Sequence, residues 1–237
     1  MPDPDLILAT KLAEAYRRLG EIYGFSAWES HGDPTGQLVA TILSQNTSDV
    51  NTARSFRALV DAYPDWQAVV DAPEPEVIEV IRSGGLANQK APRIQNALHH
   101  IHDERGDFDL YWLADLAVDE ARTWLTQMPG VGHKTASIVL LFALGRPAFP
   151  VDTHVGRVSR RLGLAPPKAS ADKVMAIVEE IAPADWFYPL HINFIRHGRA
   201  TCKARNPRCN ECVLRDICDW YRKSRAADTI RNDTGTR

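Results

Sequence analysis

The sequence predicts an all-α protein. Three observations carry that reading. Apolar residues return at three- and four-residue intervals in one segment after another, and no window shows the sustained period-two alternation of a sheet. Gly and Pro fall between these periodic segments. The charge shifts from acidic to basic along the chain, which suggests two helical lobes.

The elements follow in order. Leu8, Leu12, Ala15 and Leu19 line one side of a helix over Leu6–Leu19. A second helix covers Leu38–Leu43 and runs into Ser44-Gln45-Asn46-Thr47-Ser48-Asp49, and a third covers Val50–Ala62. Pro64, Pro73 and Pro75 interrupt the pattern. Pro75 suits the first turn of a helix reaching Arg82, which Gly84-Gly85 ends. Helices are also expected over Asn88–Asp103, Asp119–Gln127, Lys134–Leu144 and Asp172–Ile181. Beyond Tyr221 the composition turns polar and predicts a flexible tail.

With 237 residues, 44% hydrophobic and 24% charged, the chain has ample material for a core and lacks the signature of disorder. Its longest apolar stretch, Ile138–Leu144, is too short to cross a bilayer, and no membrane association is expected. The acidic N-terminus, Met1-Pro2-Asp3-Pro4-Asp5, lacks the apolar core of a signal peptide, so a cytoplasmic location is expected.

The net charge of −2 conceals a polarised chain. Residues 1–80 hold 5 basic and 13 acidic side chains, whereas residues 81–237 hold 23 and 17. Leu190–Arg225 holds 9 basic against 3 acidic, a patch suited to phosphates. All four cysteines lie there, as Cys202, Cys209, Cys212 and Cys218 in a C-x6-C-x2-C-x5-C pattern. Four thiols within 17 residues of a cytosolic-looking chain favour a metal site over disulfides. The uneven spacing, with a single C-x2-C pair, favours a [4Fe–4S] cluster over zinc, which stays open at this point. Between the first two cysteines, Lys203, Arg205 and Arg208 would face outward from a clamped loop and meet a phosphate backbone.

The segment Met128-Pro129-Gly130-Val131-Gly132-His133-Lys134-Thr135-Ala136 lies between two predicted helices. Both glycines are free to take positive φ, and the turn would leave amide N–H groups at the next helix start for an anion. Lys134 falls in the first helical turn, where the dipole disfavours ammonium. A neutral lysine amine forms Schiff bases. Eighteen residues on, Asp152 of Pro150-Val151-Asp152-Thr153-His154 reads as a helix N-cap. Its carboxylate is also able to offset a cationic sugar-like transition state or accept a proton. His99, His100 and His102 read as helix surface, His154, His191 and His197 as buried partners.

Together, the hairpin Pro129–Ala136, the Pro150–His154 segment and the Cys202–Cys218 spacing resemble the helix-hairpin-helix DNA glycosylases of the endonuclease III type. The similarity runs from about Thr35 to Cys218. The resemblance implies a six-helix barrel with the hairpin over residues 27–146. It implies a lobe holding a [4Fe–4S] cluster over 1–26 plus 147–220, a tail over 221–237, and DNA in the cleft between lobes. It implies that Lys134 attacks C1′ of a damaged nucleotide and that Asp152 is its carboxylate partner. The cluster ligands would be Cys202, Cys209, Cys212 and Cys218. Gly130, Val131, Gly132, His133 and Thr135 would contact DNA.

In such enzymes a Gln fills the gap left by the extruded base. Here the ungapped match puts Asn46 at that position, with Gln45 beside it. His133 stands where the family commonly has Arg. Lys134, together with Thr41 where adenine glycosylases carry Glu, favours a bifunctional enzyme that removes oxidised pyrimidines and cuts by β-elimination. The expected partner is double-stranded damaged DNA, bound by a nucleoid-associated monomer. The competing readings are a monofunctional mismatch or damage glycosylase and a non-catalytic, structure-specific DNA-binding module. The stretch Asp103–Leu116, with Phe108, Tyr111 and Trp112, is expected to pack on the barrel.

Overall fold

A computed structural model describes residues 4–224. All regular structure among the described residues is helical. No helix among them is long and apolar enough to cross a membrane. The chain forms two compact units, Glu29–Ala148 and a discontinuous one made of Met1–Trp28 with Phe149–Arg237.

The first helix of the Glu29–Ala148 unit starts at Asp33, whose carboxylate accepts from the Gly36 N–H at 2.8 Å and caps α2 (Pro34–Leu43). Pro34 occupies its first turn, where no N–H is needed. Leu38, Val39, Ile42 and Leu43 of α2 are wholly buried. Around α2 lie α3 (Asp49–Ala62), α4 (Trp66–Asp71), α5 (Glu74–Ile81), α6 (Ala87–Arg105), α7 (Val118–Thr126) and α8 (His133–Ile138). Their apolar faces share one core that includes Leu59, Ile81, Ile94, Leu98, Leu125 and Ala136. Each leucine or isoleucine among them contributes about 1.5–3 kcal/mol by leaving water.

The helix expected over Lys134–Leu144 is α-helical only to Ile138, and Val139–Ala143 widens into a π-helical turn. Helix α4 has six residues, too few to show a period. His100 and His102 are half-buried rather than surface residues. They pack on Trp124 and Phe108 with ring centroids 5.3 and 5.4 Å apart. Phe108 and Trp112 pack on the core as expected, while Tyr111 stays exposed.

The second unit comprises α1 (Pro4–Tyr23), α9 (Thr153–Leu162), α10 (Ala171–Ile181) and α11 (Phe187–Ala200). Its core joins Leu12, Leu19, Phe149, Val155, Val178, Leu190 and Phe194. In α11, buried His191, Asn193 and His197 interrupt the apolar stripe, which hides this helix from a periodicity reading. Pro189 stands in its first turn, where helical amides lack internal partners. Of the expected tail over 221–237, residues 221–224 are helical. The remainder lies outside the described residues.

Candidate functional site

Between α7 and α8 the chain turns tightly. Gly130 adopts φ +85°, a left-handed conformation open to glycine at little cost. Gly132 does not, since it sits at φ −93° in extended backbone and caps α8. The expectation of two left-handed glycines is therefore corrected to one. The Val131 N–H donates to the Met128 carbonyl at 3.0 Å, so the turn itself uses this amide. Val131 and Thr135 are 4% exposed, because both side chains point into the core of their unit. The Thr135 hydroxyl is thereby withdrawn from any surface ligand. Gly130, Gly132 and His133 are exposed, and Lys134 is half-buried in the first turn of α8.

The loop after α2 is tied to this hairpin. Gln45 Nε2 donates to the Gly130 carbonyl at 3.1 Å, and Gln45 Oε1 accepts from Arg93 Nη1 at 3.0 Å. Arg93 also lies against the turn: a Cβ at Gly130 would sit 2.7 Å from Arg93 Cδ. With Gln45 half-buried and engaged, Asn46 is the exposed residue of the pair, at φ +54°. Nothing in the local sequence distinguishes Arg93 from a solvated arginine on α6, so sequence reasoning misses it.

In the other unit Asp152 caps α9, its Oδ1 accepting from the Val155 N–H at 2.7 Å. The residues before it are firmly held. The Phe149 N–H donates to Glu179 Oε1 at 2.7 Å, and His191 Nδ1 lies 2.8 Å from the Pro150 carbonyl. The carboxylate is thus fixed by one helix end and a buried strut. Lys134 and Asp152 belong to different compact units.

The four cysteines are half-buried, carry no disulfide, and line one cavity with Val158, Leu162, His197, Leu214 and Trp220. Burial pushes the Cys212 thiol up to about 11 and raises Cys209 and Cys218. Thiolates gathered in an apolar cavity need a positive centre to hold them deprotonated. Among the described residues, no three His, Cys, Asp or Glu converge as a single ion would require. Zinc–sulfur bonds of about 2.3 Å demand such convergence, whereas a cluster's larger cube does not. The donor set therefore fits an iron–sulfur cluster.

Burial lowers His197 to about 4, so this ring is neutral beside Cys212 Sγ, 3.6 Å from its Nε2. Two arginines of α9 clamp the loop between Cys202 and Cys209. Arg157 Nε donates to the Cys202 carbonyl at 2.9 Å, and Arg161 donates to the carbonyls of Lys203 (2.7 Å) and Ala204 (3.1 Å). Lys203 and Arg205 are exposed. Arg208 is exposed as well, in a surface pair with Glu211, so all three cations of the loop are exposed as expected.

A family model described as the HhH-GPD superfamily base excision DNA repair protein matches residues 39–184. Another, the iron–sulfur binding domain of endonuclease III, matches residues 202–218. The chain is 34% identical to endonuclease III of Thermotoga maritima, over 85% of this chain and 90% of that one. It is 33% identical to endonuclease III of Escherichia coli K12, over 80% and 85%. A trapped endonuclease III–DNA covalent intermediate superposes with TM-score 0.79 at 29% identity, covering 91% of this chain and 98% of that one. A thermostable thymine-DNA glycosylase shares the fold at TM-score 0.77 and 20% identity, covering 93% and 100%.

Proposed function

This chain belongs to the HhH-GPD superfamily of base excision DNA repair proteins, in its endonuclease III branch, and from that premise we propose a bifunctional DNA glycosylase/AP lyase acting on oxidised pyrimidines in double-stranded DNA. The observation that carries the proposal is the union of three features in one unit: Lys134 at the exit of a glycine hairpin, the loop of Gln45 and Asn46, and the bond joining that loop to the hairpin.

The chemistry follows from these residues. The Lys134 Nζ lone pair adds to C1′ of the damaged nucleotide as the glycosidic bond breaks, and the base leaves with the bonding electrons and takes up a proton. Opening of the sugar ring gives a cationic Schiff base on Lys134. Loss of a 2′ proton then expels the 3′ oxygen and cuts the strand 3′ to the lesion. Asp152 is the carboxylate of this reaction, accepting a proton and offsetting the positive charge developing on the sugar.

Extruding the base costs a few kcal/mol of stacking and pairing. Asn46, exposed where Gln45 is engaged, fills the vacated space. The hairpin residues Gly130, Gly132 and His133 hold the backbone, and Lys203 and Arg205 add phosphate contacts. Cys202, Cys209, Cys212 and Cys218 hold the [4Fe–4S] cluster, which when bound clamps the basic loop as a structural cross-link. All these groups lie in one chain, which suits a monomer acting on the nucleoid.

The test is a panel of duplexes carrying thymine glycol, dihydrouracil, uracil, 8-oxoguanine mispairs or a bare abasic site, scored separately for base release and nicking. Release and nicking in step on the oxidised pyrimidines support the proposal. Base release that leaves abasic sites intact until alkali would establish a monofunctional glycosylase. Binding without turnover on every duplex would establish a binding module.

A further inference from the structure

Lys90, on α6, is 1% exposed, a charged side chain among the fully buried ones of the described residues. A buried ammonium far from its solvent is costly unless its protons are matched. Nζ donates to two backbone carbonyls, Leu43 at 2.7 Å and Gly84 at 2.9 Å. These acceptors belong to two different connections, the end of α2 and the turn before α6. Burial lowers the lysine below its ordinary value. An apolar side chain would fill the same space at less cost, so core packing alone does not account for a lysine here.

The two connections share a second property. Among the described residues, three non-glycine residues have positive φ: Asn46, Leu86 and Asn206. Asn46 lies three residues after the Leu43 carbonyl, and Leu86 two residues after the Gly84 carbonyl. Both have φ +54°, and both are exposed, Leu86 at 46%. A left-handed conformation costs a leucine about 1–2 kcal/mol and persists only where its surroundings impose it. Gly84 is itself pressed against α3, since a Cβ there would lie 2.7 Å from Ser55 Oγ. One buried cation thus pins the backbone just upstream of two strained, outward-standing residues.

We propose that Lys90 is a positioning residue for the glycosylase reaction: it holds the Asn46 and Leu86 connections in one fixed register, so that a polar and an apolar side chain enter the base stack together when the lesion is extruded. This rests on the function proposed above. Lys90 touches no DNA itself. Its effect reaches the chemistry through the duplex, by keeping the stack open while Lys134 reacts, and apolar wedges of this kind are a known means of unstacking.

A strand-resolved comparison tests it. A single-stranded oligonucleotide with an abasic site needs Lys134 but no opening of a stack, whereas a lesion in duplex needs both. Lys90→Met, which keeps the length and removes the donors, is expected to lower duplex base release by about 10- to 100-fold. It is expected to leave single-strand nicking and the visible cluster absorbance within about threefold of wild type. A 2-aminopurine beside the lesion should lose its fluorescence rise on mixing with the variant. Lys90→Arg, which keeps donors, is expected to restore part of that rise. Equal loss on both substrates, no loss on either, or failure of both variants to fold would overturn the positioning role. Absence of base release by the wild-type protein on every duplex would instead strike the underlying function.

Discussion

Gln45 donates from its side-chain Nε2 to the backbone carbonyl of Gly130 at 3.1 Å. That bond joins the loop that presents Asn46 to the hairpin that carries Lys134. The same side chain accepts from Arg93 Nη1 through its Oε1 at 3.0 Å. Gln45→Leu removes both bonds at similar size. Each is worth about 1 kcal/mol, so duplex base release should fall roughly 5- to 30-fold. Single-strand abasic nicking should change little, and rates on the two substrates measured side by side check this.

Gly130 combines φ +85° with close approach to Arg93. Alanine at this position meets a left-handed backbone and displaces the arginine that supports Gln45. The expected loss is about 1–2 kcal/mol of stability, read as a lowered urea midpoint. Gly132→Ala, at φ −93° with no atom near its Cβ position, should cost much less. Equal costs would show that the turn does not depend on its left-handed residue.

The basic loop makes a salt prediction. Removing one cation that neutralises a phosphate should flatten the dependence of log affinity on log salt by about 0.9. Lys203→Ala and Arg205→Ala should each do so. Arg208→Ala should change it little, because Glu211 already holds that guanidinium. Fluorescence anisotropy of an abasic duplex across a salt series measures the slopes.

Removing iron should quieten the cysteines. Burial raises Cys209, Cys212 and Cys218, with Cys212 reaching about 11. These thiols are protonated at neutral pH once the cluster is gone, and the thiolate is the reactive form. Iron-depleted protein should therefore alkylate with iodoacetamide more slowly at Cys212 than an unfolded cysteine peptide does near neutral pH. Alkylation should accelerate as pH rises toward 11. Mass spectrometry of digests reads the rates.

Much of the fold is legible in the sequence because long helices declare themselves by period. The helices around Leu12, Leu38, Leu98 and Val178 are examples. Helix α4 is too short, and α11 is interrupted by buried polar residues. The site is legible where local chemistry marks it. Glycines announce a turn, cysteines at close spacing announce a cavity, and Asp152 announces a helix start. The supporting cations are not legible. Lys90, Arg93, Arg157 and Arg161 act on carbonyls or side chains between 6 and 48 residues away. Sequence spacing carries no sign of which carbonyl a buried cation will meet. The pairing of Arg208 with Glu211 is local, yet a count of loop charges does not register it.

The proposed reaction passes through a covalent Schiff base between Lys134 and the sugar of the damaged nucleotide. Borohydride reduction during turnover on an abasic or thymine glycol duplex measures it most directly, with the adduct mapped by peptide mass spectrometry. The wild-type protein should yield a stable protein–DNA adduct on the peptide containing Lys134, and Lys134→Ala should yield none while still binding the duplex. An adduct of undiminished yield in Lys134→Ala, or none with active wild-type protein, would contradict the account.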